Sequence, residues 1–84
     1  MDYIVYADGT QEWRKNGALH RNDDLPARIC PDGTQEWYMN GSLHRSYGPA
    51  IISSDGIREW YMYGIHQYTD ISDLTYKMSF TSLN

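Results

Sequence analysis

The chain has 84 residues, a formal net charge of -4 at pH 7 and a hydrophobic fraction of 40%. This length corresponds to one small domain, which buries only a modest core. The hydrophobic fraction is high for a disordered chain, and no apolar run reaches the roughly 20 residues that span a bilayer. The acidic balance argues against a protein that holds nucleic acid through clustered basic residues.

The sequence also bears on the compartment. Residues 1–4 show no basic region followed by an apolar one, so no secretory signal is visible. Cys30 is the only cysteine, so it cannot close an internal disulfide, and nothing favours an oxidising compartment. We therefore expect a cytoplasmic protein without membrane association, located in the host cytoplasm if the chain is viral.

A short phrase recurs along the chain. DGTQEW occupies residues 8–13 and again 32–37, and a looser copy, DGIREW, occupies residues 55–60. A fixed internal period of this kind is the signature of repeat architectures. The unit can be written DG-x-x-EW-x-x-x-G-x-LHR-x-x-x-PA-x-I. It divides a single domain, residues 1–84, into five parts. An opening strand covers residues 1–7, three repeat units cover residues 8–31, 32–54 and 55–68, and a cap covers residues 69–84.

The predicted elements begin with a strand at Tyr3–Tyr6, whose aromatic and β-branched residues favour extended backbone. Each unit then opens with an Asp-Gly pair. This pair predicts a type I′ hairpin turn, because that turn needs positive φ at both central residues. Asn16-Gly17 and Asn40-Gly41 are turns of the same chemistry, whereas Tyr63-Gly64 keeps only the glycine.

The middle unit shows how the strands are expected to lie. Residues 34–39 have room for one strand, and alternate residues of a strand share a face. Trp37 and Met39 therefore lie on one side, with Glu36 and Tyr38 on the other. We expect the tryptophan side to be buried and the glutamate side to face solvent.

The tail TDISDLTYKMSF departs from the unit and predicts a helix. Thr69 or Ser72 is suited to cap it, and Ile71, Leu74 and Met78 share one helical face. Such a helix would cover the end of the array, as terminal caps of repeat proteins do. We therefore predict an all-β fold, an elongated and twisted antiparallel sheet of tandem β-hairpin repeats with a short C-terminal helical cap.

The spacing of glycine, tryptophan, glycine and histidine over residues 3–67 resembles MORN repeats (membrane occupation and recognition nexus). It is more similar still to the MORN-like DGTxEWYxNGxLHR…GPA units of small phage and bacterial proteins. MORN units usually carry glycine after the histidine, where this chain has Arg21, Arg45 and Gln67, so their suggested lipid binding is not carried over. The resemblance implies a β-hairpin array that serves as a scaffold or binding surface, and not an enzyme.

The recurring polar residues are expected to serve the fold. A row formed by His20, His44 and His66 could bind a metal if the ligands met at one point, but a residue that recurs in every unit usually serves the unit itself. The recurring glutamates are expected to form cross-strand pairs, with Arg21, Arg28 and Arg45 as the available partners. The chain has no P-loop, GxGxxG, HExxH or CxxC pattern. We predict no catalytic residue, no metal site and no cofactor.

The aromatic residues indicate a protein-binding role. A tyrosine-rich face with a neighbouring arginine is suited to gripping another protein, and the candidate partner-binding residues are Arg14, Tyr38, Tyr47, Tyr61 and Tyr63. We therefore expect a small adaptor or inhibitor that occludes a surface of its partner. The resemblance to phage units implies an inhibitor of a host defence protein. The alternatives are a structural homo-oligomer, whose sheet ends pair, and a nucleic-acid or small-ligand binder.

Overall fold

The structure, a computed structural model, describes residues 1–72, and it is an open antiparallel sheet of consecutive hairpins. The strands are β1 (Asp2–Val5), β2 (Gln11–Lys15), β3 (Ala18–Leu19), β4 (Arg28–Ile29), β5 (Gln35–Glu36), β6 (Tyr38–Met39), β7 (Ser42–Leu43), β8 (Ile51–Ile52), β9 (Arg58–Met62) and β10 (Ile65–Asp70). The main sheet has the order β1-β2-β4-β5-β8-β9-β10, with β3 paired to β2, while β6 and β7 form a separate small sheet. The predicted all-β fold of tandem hairpins is confirmed, and the chain measures 51 × 30 × 17 Å.

The Asp-Gly turns are not type I′, so that prediction is wrong. Gly9 has a φ of 96°, but the φ of Asp8 is not positive. The Gly9 N–H instead bonds to the Tyr6 carbonyl at 3.0 Å, and the Tyr6 N–H bonds to Thr10 O at 2.9 Å. This is a three-residue loop closed by a glycine bulge. The Asp8 carboxylate favours it because it accepts the Thr10 N–H at 2.8 Å.

The Asn-Gly turns do have the predicted geometry. Asn16 and Gly17 have φ values of 51° and 81°, and Asn40 and Gly41 have 50° and 87°. Positive φ at two successive residues defines the type I′ turn, and its twist matches that of the flanking strands. Tyr63 adopts the same conformation, with a φ of 50°.

The strand predicted at residues 34–39 is interrupted at Trp37, between β5 and β6. The Trp37 N–H bonds to Ala50 O at 2.7 Å, whereas the Trp37 carbonyl accepts from the His44 N–H at 3.0 Å. The two backbone groups of this residue therefore bond in different directions, the N–H to the residue that precedes β8 of the main sheet and the carbonyl to the residue that follows β7 of the small sheet. Trp37 is the point where the chain leaves the main sheet for the small one.

Burial is concentrated in small and polar side chains. The buried residues include Thr10, Glu12, His20, Pro26, Ala27, Trp37, His44 and Ala50. The tryptophan side is buried at Trp37, as predicted, while Trp13 and Trp60 in the outer units are half-buried. The prediction that glutamate faces solvent is wrong for Glu12, which is only 7% exposed.

Glu12 is covered because cationic and hydroxyl groups converge on it. Arg14 lies 3.0 Å from its carboxylate and Arg28 lies 3.6 Å away, and the Tyr6 hydroxyl donates to it at 2.7 Å. Burial alone raises the pKa of Glu12, but the Tyr6 and Arg14 hydrogen bonds outweigh it and lower that pKa. Arg28 also contacts Glu36 at 3.4 Å, so the predicted cross-strand pairing with this arginine is confirmed.

The C-terminal end differs from the expected boundary. Strand β10 pairs with β9 through Asp70, so residues 69 and 70 continue the sheet beyond the predicted end of the third unit. The pairing of β10 with β9 shifts register between His66 and Tyr68, as it does at a β-bulge. Residues 73–84, which carry most of the predicted helical cap, lie outside the described residues. In residues 1–72 no helix is long and apolar enough to cross a membrane.

Candidate partner-binding site

Two histidines join neighbouring units. His20 Nδ1 accepts the Asn40 N–H at 3.0 Å, and Leu19 O accepts the Gly41 N–H at 2.8 Å. The next joint repeats these contacts. His44 Nδ1 accepts the Tyr63 N–H at 3.1 Å.

The second ring nitrogen of His20 completes this role. Because Nδ1 accepts a backbone N–H, the proton of the neutral ring lies on Nε2, which donates to Asn22 Oδ1 at 2.9 Å. Both nitrogens of this buried side chain are therefore occupied within the protein. The structural role predicted for the recurring histidines holds for His20 and for His44, whose Nε2 lies 3.3 Å from Ser46 Oγ.

His66 is not equivalent to the other two histidines. It pairs with Tyr61 across the hairpin. In the first two units this position is held by leucine, since Leu19 pairs with Arg14 and Leu43 pairs with Tyr38. His66 therefore takes the place of the leucine and not of the histidine. Its side chain is exposed, and its Nε2 lies 2.6 Å from Thr69 Oγ1. The three histidines thus form no continuous row. Within residues 1–72 no group of His, Cys, Asp or Glu side chains is arranged to hold a metal.

The arginine after each buried histidine stacks on tryptophan, which the sequence reasoning missed. The Arg21 guanidinium lies 3.7 Å from the centre of the Trp13 ring, and that of Arg45 lies 3.9 Å from the centre of Trp37. These cation–π contacts replace the predicted pairs with glutamate. One sequence signal could have suggested this contact. The first two units contain both EW and LHR, whereas the third has Gln67 in place of the arginine.

Asp24 connects the first unit to the second. Its carbonyl accepts the Trp37 Nε1–H at 3.1 Å, and its carboxylate accepts from Arg45 Nε at 2.8 Å and Nη2 at 3.3 Å. The hydrogen bond from Arg45 lowers the pKa of Asp24. One residue thus holds the tryptophan and the arginine of the following unit in place.

A groove of about 180 Å³ lies beside this connection, between the loops that follow the two buried histidines. We call it the inter-unit groove. Its lining residues are Arg21, Asn22, Asp23, Asp24, Trp37, Tyr38, Met39, His44, Arg45, Ser46 and Tyr47. Trp37, Tyr38 and Met39 supply its apolar surface. Tyr47 is 87% exposed.

The structure brings together three of the predicted partner-binding residues. Tyr38 and Tyr47 line the inter-unit groove, and Tyr63 stacks on the groove residue His44 with ring centres 4.2 Å apart. Tyr38 is the least available, because its hydroxyl donates to Glu36 at 3.0 Å. Burial, reinforced by the Glu36 charge, raises the pKa of Tyr38 to about 12.

The other two predicted residues lie elsewhere. Tyr61 packs edge-on against His66, with ring centres 5.2 Å apart. Arg14 is engaged by the Glu12 carboxylate and donates to Gly17 O at 2.7 Å. They are part of hairpins on either side of the groove rather than of its lining.

The chain was compared with protein-family models, with curated proteins and with solved structures, and none of them matches.

Proposed function

We propose that this chain is a non-enzymatic, MORN-like protein-interaction module that covers a surface of its partner through Tyr47 and Tyr63. The observation that carries the proposal is the backbone of Tyr63. Its φ of 50° places it in the left-handed region, which costs an L-residue roughly 1–2 kcal/mol relative to ordinary backbone. The first two units have Asn16 and Asn40 at this position, and asparagine tolerates that region better.

A tyrosine at this position therefore gives the turn no lower backbone energy than an asparagine would. The Tyr63 side chain is 73% exposed, so burial does not account for the residue either. Its one aromatic contact within the described residues is the stack on His44. Strain at an exposed aromatic residue is typical of positions that serve binding, and tyrosine is enriched among residues that dominate interface energies.

The inter-unit groove supports the same proposal. Ligand pockets for drug-sized molecules measure about 300–1,000 Å³, whereas this groove measures about 180 Å³. It has room for one side chain of a partner, with Tyr47 beside it. One of its two arginines, Arg45, is already engaged by Asp24 and Trp37, which favours a protein partner over a phosphate backbone.

The proposed mode of action is occlusion. The resemblance of the unit to those of small phage proteins favours a host defence protein as the partner, in the host cytoplasm. Such an inhibitor needs no chemistry of its own, because covering a functional surface is sufficient.

The test is affinity purification from a bacterial lysate followed by mass spectrometry and a binding measurement with the purified partner. We expect Tyr47→Ala and Tyr63→Ala each to weaken binding at least tenfold, the loss typical of an interface anchor. Tyr47→Phe keeps the ring and is the matched control, which should retain most of the affinity. If both alanine variants bind like the wild type, the assigned surface is wrong.

A second candidate is a homo-oligomeric scaffold. Within residues 1–72, β1 and β10 each pair with one neighbour only, and exposed sheet edges are templates for pairing with another chain. Val5 and Ile65 are exposed on these strands. Light scattering distinguishes the candidates, because a concentration-independent monomer would exclude the scaffold without affecting the interaction module.

A further inference from the structure

The contact between the first and second units, which we call the joint, shows how one unit of this fold binds an acidic loop of another. On the second unit, five N–H groups donate to the first unit. They are the backbone N–H groups of Asn40 and Gly41, Trp37 Nε1, and Nε and Nη2 of Arg45. Their acceptors all lie within residues 19–24, which end in the Asp24 carboxylate.

The first unit presents the same five donors. Trp13, Asn16, Gly17 and Arg21 occupy the positions of Trp37, Asn40, Gly41 and Arg45, and we call them the donor face. The equivalence holds in detail. Arg21 stacks on Trp13 as Arg45 stacks on Trp37, and Nη1 of each arginine donates to a proline carbonyl at 3.1 Å. Asn16 and Gly17 also have the backbone conformation of Asn40 and Gly41.

The donor face differs in having no acceptor for these groups within residues 1–72. The hydrogen bonds of the described chain include none from Trp13 Nε1 or from Nε and Nη2 of Arg21, and none from the backbone N–H of Asn16 or Gly17. Asn16 and Gly17 are exposed. The groups that hold an acidic loop in the second unit are thus available in the first.

The distribution of positive charge also favours the binding of an acidic segment at the donor face. Arg14, Arg28, Arg45 and Arg58 each form an ion pair with a carboxylate. Arg21 and Lys15 form none within the described residues, and both belong to the first unit. Lys15 follows Trp13 by two positions in β2, on the same side of the strand. Within residues 1–72, the arginine and lysine side chains that form no ion pair therefore both lie in or beside the donor face.

We propose that the donor face binds an acidic peptide segment of a partner protein, with an aspartate carboxylate bound side-on by Arg21 and a carbonyl accepting from Trp13 Nε1. The backbone N–H groups of Asn16 and Gly17 bind two further acceptors of the same segment. This proposal rests on the joint between the units and is independent of the role proposed for Tyr47 and Tyr63.

The probe is the acetylated and amidated peptide LHRNDD, the sequence of residues 19–24, titrated into the ¹⁵N-labelled full chain. We expect the indole N–H of Trp13 and the amides of Asn16 and Gly17 to shift, while the indole N–H of Trp37 stays in place. The control peptide LHRNDN lacks the final carboxylate and should bind about tenfold more weakly, because a charge-assisted pair is replaced by a neutral one. Equal shifts with both peptides, or no shift at Trp13 and Gly17 at millimolar peptide, would overturn the proposal.

Protein variants give a second readout. Arg21→Gln should weaken binding of LHRNDD about tenfold, whereas Arg58→Gln removes the same charge at the other end of the sheet and should leave it unchanged. Equal losses in the two variants would show that net charge, and not the donor face, attracts the peptide. An oligothymidylate that shifts the same resonances at lower concentration than the peptide would instead assign the face to nucleic acid.

Discussion

At the scale of single residues, the same residue type serves different purposes according to its position in the array. The Nδ1 atom of His20 holds the next unit, and only 3% of the residue is exposed. His66 lies one place out of register, with an exposed side chain that contacts Thr69. Burial and hydrogen bonding at the joint, and not the mere recurrence of histidine, therefore define the structural role.

We expect His20→Ala to lower the free energy of unfolding by about 1–3 kcal/mol, because it leaves the Asn40 N–H without its acceptor. Urea denaturation followed by tryptophan fluorescence measures this loss. His66→Ala is the matched control and should change stability by less than about 0.5 kcal/mol, as exposed substitutions usually do. Similar losses in both variants would contradict the assigned difference between the histidines.

Acid should weaken the joint between the first two units. The Arg45 hydrogen bond lowers the pKa of Asp24 in the folded chain, so the carboxylate contributes stability above the unfolded-state pKa of about 4. That contribution is lost as the pH falls through the lowered folded-state pKa. We expect the urea midpoint of the wild type to fall between pH 7 and pH 3, and to fall less in Asp24→Asn.

Asp23→Asn is the control for this pH dependence. It removes the adjacent carboxylate, which forms no ion pair within residues 1–72. The pH profile of this variant should follow that of the wild type. If Asp24→Asn also keeps the wild-type profile, the ion pair with Arg45 contributes nothing measurable to the acid response.

At the scale of elements, the two kinds of turn have different roles. The Asp-Gly loops connect strands of the main sheet, and the aspartate carboxylates brace them by accepting backbone N–H groups. The turns at Asn40-Gly41 and Tyr63-Gly64 form the tips of hairpins and carry the hydrogen bonds between units. A residue at the first position of such a tip therefore affects both the turn and the joint, and Tyr63 is the one case where a strained residue occupies it.

We expect Tyr63→Asn to raise the free energy of unfolding by about 0.5 kcal/mol. The gain comes from removing a left-handed aromatic residue, and it is offset in part by losing the stack on His44. The reciprocal variant Asn40→Tyr should lose about 1 kcal/mol for the same backbone reason. Denaturant unfolding measures both. A clear loss of stability in Tyr63→Asn would mean that the ring serves the fold rather than a partner.

At the scale of the whole molecule, stability comes from contacts between neighbours along an elongated sheet. The molecule is 51 Å long and 17 Å thick, and residues 1–72 form no single deep core. Large side chains are covered by a neighbouring unit, as Trp37 of the second unit is by the Asp24 loop of the first. The stability of such an array is approximately the sum of the stabilities of its units and of the interfaces between neighbouring units.

We expect hydrogen exchange to be slowest at the centre of the main sheet and fastest at its ends. Strands β4, β5 and β8 have partners on both sides, whereas β1 and β10 have one within the described residues. Backbone N–H groups with fewer surrounding contacts open locally at lower free energy. Amide exchange followed by NMR tests this gradient, and uniform protection across all strands would show that the sheet opens only as one cooperative body.

Much of the architecture could be predicted because its signals are local. The spacing of tryptophan and glycine predicts tandem hairpins, and Asn-Gly predicts the type I′ turns that the structure contains. The Asp-Gly turn type was predicted wrongly because the same dipeptide also suits a three-residue loop with a glycine bulge. Of the candidate site, Tyr47 and Tyr63 could be named in advance from their residue type alone, because Tyr47 lies in a bend and Tyr63 in a turn and neither is on a strand face. Their common neighbour His44 could not be assigned to the site in advance.

The sequence by itself determined the tandem hairpins, their order and the Asn-Gly turns, because backbone conformation at glycine and asparagine is decided largely by the residues themselves. Only the tertiary structure decided what meets between units. Arg21 and Arg45 stack on tryptophan instead of pairing with glutamate. The sequence already has His66 one residue early after its glycine, and the structure shows the consequence, that its side chain lies outside the joint. The physical reason is that such contacts depend on which acceptors the neighbouring unit presents, and a change of one residue in a strand moves every later side chain to the opposite face.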